Sequence, residues 1–143
     1  MSKTLKELLK NNIELAQDSI YFDDQNTKIN ELFTEIDRLD INAQQKSIHE
    51  ILVNLLGKYV HLPEILFTTA LKLDDKEIFE EAIFFYRLSN IILPNPKAIN
   101  NIAIIYANTN RIKYGLEILE AGLQQFPEDE TISENLKILS SYK

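Results

Sequence analysis

The side chains best suited to chemistry in this sequence are two histidines, and their surroundings do not match a metal site. His49-Glu50 begins like the zinc-protease motif, in which two histidines one helical turn apart bind the metal. Val53 stands where the second histidine belongs. His61 is the only other histidine and cysteine is absent, so the sequence predicts no structural zinc site.

Other patterns that carry chemistry are also incomplete. Asp24, Asn26 and Glu35 have part of the spacing of a calcium loop, but Lys28 and Ile29 replace a ligand and the turn glycine. The three glycines are isolated, so no glycine-rich phosphate loop is formed, and no serine lies in a nucleophile elbow. We therefore predict no catalytic residue, no metal and no cofactor. An enzyme that uses scattered carboxylates is only our third hypothesis.

Composition and charge exclude several classes of partner. The chain has 143 residues, which fits one domain, and a net charge of −7. Nucleic-acid binding normally requires a basic face, so we predict no nucleic-acid partner. The lysines at positions 3, 6 and 10 are too few for an anchor to an anionic membrane. With no cysteine, no signal-peptide pattern and no apolar run long enough to cross a membrane, we expect a cytoplasmic protein that does not bind membranes.

The elements that would position any site are helices. Three glycines and four prolines are fewer than an all-β domain of this size needs, whereas helices joined by short polar loops need few. Apolar residues recur every three or four positions over 5–20, 29–39 and 48–59, which predicts three amphipathic helices before Pro63. The predicted fold class is all-α.

From Pro63 onward the sequence has a 33-residue period. Small residues align with small ones and proline with proline, as in the pairs Ala70 and Ala103, Ala82 and Gly115, Ser89 and Gly122, and Pro94 and Pro127. Such a period predicts stacked antiparallel helical hairpins, with small residues at the closest helix approaches. The turns are predicted at 74–77 and 108–110. We divide the single domain into N-terminal helices (1–62), which a degenerate first repeat could also explain, two repeats (63–95 and 96–128) and a capping helix (129–143).

These positions resemble the tetratricopeptide repeat family. The second copy matches through the stretch 99–106, Gly115, Leu119, Gly122 and Pro127. The first matches through Leu66, Ala70, Ala82, Tyr86, Ser89 and Pro94. Leu66 and Ile99 replace the aromatic residue that usually begins each repeat. The resemblance implies a short solenoid of hairpins and a scaffolding function without a particular chemistry.

The resemblance also implies a ligand face, formed by the first helix of each hairpin. Carried over by position, its partner-binding residues are Phe67, Leu71, Asp74, Asn100, Ile104, Ala107, Asn108 and Lys137. One subclass grips the carboxylate of heat-shock proteins there. Asn101 matches one position of that clamp, but apolar and acidic residues replace the cations, so that activity is not predicted. An apolar face rimmed by acid instead suits an apolar segment with basic flanks. Alternatively, the N-terminal helices cover this face as part of the core.

Our leading functional hypothesis is a cytoplasmic adaptor or chaperone-like module that binds a peptide or helix of another protein. In size, charge and repeat architecture the chain resembles the chaperones of bacterial type III secretion translocators. The second hypothesis is a structural protein that self-associates as a homodimer. Phe84 and Phe85 are expected to contact the next repeat, or a second subunit if one of them is exposed.

Overall fold

The computed structural model describes residues 63–142 together with Thr34 and Ile36, which are helical. Residues 63–142 form five helices and no strand, which confirms the all-α prediction. The helices are α1 (Pro63–Asp75), α2 (Phe79–Ile92), α3 (Pro96–Asn108), α4 (Ile112–Gln125) and α5 (Glu130–Ser140). The helices predicted before Pro63, the His49-Glu50 pair, the partial calcium loop and the N-terminal lysines lie outside the described residues, apart from Thr34 and Ile36.

The 33-residue period of the sequence is also a period of the structure. Helices α1 and α3 begin and end at equivalent positions of the two copies, and so do α2 and α4. Backbone hydrogen bonds at the helix ends repeat with the same offset: Ile78 N donates to Leu73 O, as Arg111 N does to Tyr106 O. The first four helices are therefore two copies of one hairpin.

Local sequence explains where the helices begin and end. The Asn95 side chain caps α3 by accepting a hydrogen bond from Lys97 N, and Pro96 occupies the first helical position, where its missing N–H is no loss. Asp129 caps α5 in the same way through Ile132 N. Leu93 is extended because the residue before Pro94 avoids the helical region, so α2 ends at Ile92.

The turn inside each hairpin begins one or two residues later than the sequence suggested, at 76–78 and at 109–111. Asp74 and Asp75, predicted as turn residues, are the last residues of α1, and Asn108 likewise ends α3. Each turn instead reverses at one left-handed residue, Glu77 in the first hairpin and Asn110 in the second. The hydrogen bonds from Glu77 N to Asp74 O and from Ile78 N to Leu73 O complete a Schellman motif, which satisfies the carbonyls that the helix end leaves free.

Small residues lie where the helices of a hairpin approach most closely. The Ser89 hydroxyl donates to Pro63 O at 2.8 Å, which brings the end of α2 against the start of α1. In the second hairpin a Cβ atom on Gly122 would lie 2.6 Å from Ile99 Cγ2, and one on Gly115 would lie 3.2 Å from Ala103 O. The contacts of Ser89 with Pro63 and of Gly122 with Ile99 each join the end of the second helix to the start of the first, so both hairpins are antiparallel.

Helix α3 is buried on two sides and connects the hairpins. Ala98, Ile102 and Ile105 belong to the apolar cluster of α1 and α2, which also contains Ile36. Ile99, Ala103 and Ala107 belong to the cluster of α4 and α5. Because adjacent residues of a helix differ by about 100° around its axis, α3 can contribute to both clusters and keep a third side for Asn100 and Ile104. Helix α5 contacts both α3 and α4.

Candidate partner-binding face

The partner-binding residues inferred from the sequence lie on the first helix of each hairpin and on α5. Phe67, Leu71 and Asp74 are spaced by four and three residues, so they share one side of α1. Asn100, Ile104 and Asn108 share one side of α3 in the same way. We call this surface the first-helix face, and define it by Phe67, Leu71, Asp74, Asn100, Ile104, Ala107, Asn108 and Lys137.

The structure makes only part of the first-helix face accessible. Asn108 and Lys137 are exposed, and Phe67, Asp74 and Ile104 are partly buried. The other three residues are buried, namely Leu71 (5% exposed), Asn100 (1%) and Ala107 (5%). Leu71 belongs to the apolar cluster that also contains Ile36. A ligand on this face would therefore contact Phe67, Asp74, Ile104, Asn108 and Lys137.

Asn100 has a structural role in place of a surface role. Its Oδ1 accepts a hydrogen bond from Asn135 Nδ2 of α5 at 3.1 Å, and its Nδ2 donates to Pro96 O at 3.3 Å. Both asparagines are buried, so each needs the other to replace the water that it loses. This pair attaches α5 to α3.

The most distinctive polar feature of the first-helix face is a chain of three side chains from three helices. The Tyr86 hydroxyl of α2 donates to Asp74 Oδ2 of α1 at 2.8 Å. Asn101 Nδ2 of α3 donates to the same hydroxyl at 3.4 Å. Tyr86 and Asn101 are buried, whereas Asp74 is partly accessible. The chain of hydrogen bonds therefore ends at a carboxylate on the surface.

Burial changes the proton affinity of this chain. Desolvation raises the pKa of Asp74 to about 6; the hydrogen bond from Tyr86 opposes this shift, and the neighbouring Asp75 adds to it. The pKa of Tyr86 is raised well above its usual value by burial and by the charge of Asp74, so Tyr86 remains a neutral donor. Among residues 63–142, no cation contributes to the shift in the pKa of Asp74.

Sequence reasoning placed Asp74 and Asn101 on this face but missed their connection through Tyr86. In the 33-residue repeat, Tyr86 aligns with the apolar Leu119. The usable signal was that alignment, because a tyrosine at a buried position needs a partner for its hydroxyl. The partner could not be identified without the packing of α1 against α2.

A second surface carries exposed apolar side chains on the outer side of α2. Phe84, Leu88 and Ile91 are four and three residues apart and therefore form one stripe, which we call the α2 stripe. Phe84 is 50% exposed and Ile91 76% exposed, and the adjoining Ile92 and Leu93 are exposed as well. Phe85, by contrast, is buried. Of the two phenylalanines, only Phe84 is available to a second protein.

An arginine and tyrosine cluster joins the two hairpins at the surface. Arg111 Nη1 lies 2.7 Å from Glu80 Oε1, and the guanidinium of Arg111 lies 4.9 Å from the centroid of the Tyr106 ring. Arg87 Nη2 donates to the Tyr106 hydroxyl at 2.9 Å. Both arginines are already engaged, and exposed ion pairs of this kind contribute little stability. The cluster orients the hairpins and offers no free cation.

Residues 63–142, Thr34 and Ile36 contain no group of three or more His, Cys, Asp or Glu side chains that could hold a metal ion. None of the described helices has both the length and the apolar character needed to cross a membrane. No protein-family model, curated protein or solved structure matches the chain.

Proposed function

We propose that this chain is a protein-interaction module of tetratricopeptide type, and that its first-helix face binds an apolar peptide or helix of a partner protein. The observation that carries the proposal is the 33-residue repetition of helix bounds, turns and backbone hydrogen bonds. A stack built from such copies aligns its first helices in a row, and that row can hold an elongated ligand.

The accessible residues suit such a ligand. Phe67 and Ile104 offer apolar contact to the ligand, and Asp74 and Asn108 offer hydrogen-bond acceptors. Lys137 of α5 adds an exposed cation to the face. The small size, the charge of −7 and the repeats favour an adaptor or chaperone of the kind that serves bacterial type III secretion translocators, working in the cytoplasm. Catalysis is not part of the proposal.

A photo-crosslinking experiment tests the face directly. The crosslinking amino acid benzoylphenylalanine is placed at Asn108 on the first-helix face and, as the control, at Glu117, an exposed residue of α4. We expect a partner to be captured from Asn108 and not from Glu117, and to be lost when Ile104→Glu is added. Ile104 is the better residue to change because Leu71 is buried, so a charge at Leu71 would unfold the protein.

Equal capture from both positions, or capture that survives Ile104→Glu in a folded variant, would contradict the proposed face. Circular dichroism and thermal melting of each variant show that it is folded. The exposed Tyr114→Glu change serves as a matched control for the added charge, and we expect it to leave the crosslink intact.

Self-association through the α2 stripe is a second candidate function, favoured by the exposure of Phe84 and Ile91. These residues are two helical turns apart on one side of α2, so a two-fold antiparallel pairing would place Phe84 of each copy against Ile91 of the other. We expect Phe84→Glu/Ile91→Glu to convert a dimer into a monomer in sedimentation equilibrium, and Ile104→Glu to leave the dimer unchanged. A wild-type chain that is monomeric at about 0.1 mM would exclude this candidate, since dimers of functional affinity form at far lower concentration.

A further inference from the structure

The accessible end of the Asp74, Tyr86 and Asn101 chain is the partly buried carboxylate of Asp74. We propose that this carboxylate is a subsite for a lysine or arginine side chain of the bound segment, an inference that rests on the proposed function. Three helices build the subsite, since Asp74 comes from α1, Tyr86 from α2 and Asn101 from α3. It is therefore held in place by the packing of the hairpin and not by a mobile loop.

The hydrogen bonds leave the carboxylate ready for a cation. Tyr86 donates to Oδ2, and no other side chain of residues 63–142 donates to Asp74. The Tyr86 hydroxyl is in turn anchored by Asn101 Nδ2. The carboxylate is thus oriented while Oδ1 remains open to an N–H donor from a ligand. A charge-assisted hydrogen bond of this kind is stronger than one between neutral groups.

The surroundings of Asp74 attract a cation. Asp75 is the next residue and adds negative charge, α2 contributes the neutral Tyr86 hydroxyl, and α3 contributes the neutral amide of Asn101. Lys72 lies two residues before Asp74 on α1 and so on a different side of the helix, and Lys76 lies beyond the end of α1. Burial without a cation raises the pKa of Asp74 to about 6, and an incoming cation would reverse that shift.

A partly exposed aromatic side chain on the same side of α1 suits the aliphatic part of a basic side chain. Phe67 lies two turns before Asp74 on the same side of α1, and its ring centroid is 5.6 Å from that of Tyr86. The methylene groups of lysine or arginine can lie along apolar surface while the charged end reaches a carboxylate. The subsite therefore discriminates a basic side chain from a purely apolar one.

A random 12-residue peptide library displayed on phage tests the inference on the full chain. Binders are selected on the wild type and counter-selected on Ile104→Glu, so that only peptides held by the first-helix face remain. We expect the survivors to share a lysine or arginine among apolar residues. In a selected peptide, replacing that lysine by norleucine should weaken binding about tenfold at about pH 7.5, the size of effect that one charged hydrogen bond supports.

A matched pair of variants tests whether Asp74 is the residue that recognises the lysine of the peptide. Asp74→Asn should abolish the preference for lysine over norleucine, whereas Asp75→Asn, an exposed neighbour with the same change in net charge, should preserve it. Lowering the pH to about 5 should reduce the preference on the wild type, because Asp74 is then mostly protonated.

The possible failures can be told apart. If no peptide depends on Ile104, the proposed function is wrong and the inference falls with it. If Ile104-dependent peptides carry no shared basic residue, or bind Asp74→Asn as tightly as the wild type, the proposed function stands and the cation subsite is wrong. Equal losses in Asp74→Asn and Asp75→Asn would show a general effect of net charge and would also overturn the subsite.

Discussion

Glu77 and Asn110 adopt the same left-handed backbone conformation one repeat apart, with φ angles of 63° and 61°. Each follows the first helix of its hairpin and lets the chain reverse into the second helix. Asparagine enters this conformation readily, whereas glutamate does so only where the surrounding structure imposes it. The two copies therefore share one turn geometry, although only asparagine has an intrinsic preference for the left-handed conformation.

Glu77→Gly should stabilise the protein. Glycine occupies the left-handed region without the steric cost that a Cβ atom incurs, and we expect the free energy of unfolding to rise by about 0.5 to 1 kcal/mol. Urea unfolding followed by circular dichroism measures the change. Asn110→Gly is the matched control and should gain less, because asparagine tolerates this conformation already. A loss of stability in Glu77→Gly would contradict this expectation. It would show that the glutamate side chain stabilises the folded protein by more than its strained backbone destabilises it.

Gly122→Ala should destabilise the second hairpin. The new Cβ would lie 2.6 Å from Ile99 Cγ2, a branched side chain with little freedom to move. We expect a loss of about 1 to 2 kcal/mol, since overpacking outweighs the better helix propensity of alanine. In an Ile99→Ala background the same change should no longer destabilise, because the obstructing atom is gone. Equal losses in both backgrounds would contradict this close contact.

Asp74→Asn should stabilise the protein at neutral pH. The pKa of Asp74 is about 6 when folded against 3.8 when unfolded, so between these values the folded state binds more protons. The contribution of Asp74 to stability is thus largest below about pH 4 and is lost as the pH rises through about 6. Asparagine can still accept from Tyr86 without the desolvated charge, and we expect a gain of about 1 to 3 kcal/mol at pH 7.5.

Thermal melts at several pH values check this expectation. The difference between Asp74→Asn and the wild type should shrink toward pH 4.5, and Asp75→Asn controls for net charge. A wild type more stable than Asp74→Asn at neutral pH would contradict this expectation and would mean that interactions of the ionised carboxylate, such as the hydrogen bond from Tyr86, outweigh its desolvation.

Asn135→Leu should loosen the attachment of α5. The change leaves Asn100 Oδ1 buried without its donor, which costs about 1 to 3 kcal/mol. Hydrogen exchange should accelerate first in α5, because the lost hydrogen bond is the one that joins α5 to α3. Replacing both asparagines by leucine should recover part of the loss, since no unpaired oxygen then remains. If the double variant is as unstable as Asn135→Leu, the two asparagines do not stabilise the protein mainly through their mutual hydrogen bond.

The repeat was readable from the sequence because its signals are local. Pro94 restricts the backbone of the residue before it, and Gly115 and Gly122 have no side chain, so each leaves room for a close neighbour. The 33-residue spacing of these positions therefore predicts two hairpins with helix ends close to those observed, and the turn predicted at 108–110 contains the left-handed Asn110. The helix α5 followed from its apolar spacing in the same way.

The tertiary structure alone decided which residues of the first-helix face are accessible and which are core. Leu71 and Asp74 share one side of α1, yet Leu71 is buried and Asp74 reaches the surface. Asn100 is paired with a residue 35 positions away, and Tyr86 joins two helices through one hydroxyl. Periodicity along one helix specifies which side chains share a side, but the helices packed against it determine how much water each side chain keeps and which partners replace the rest.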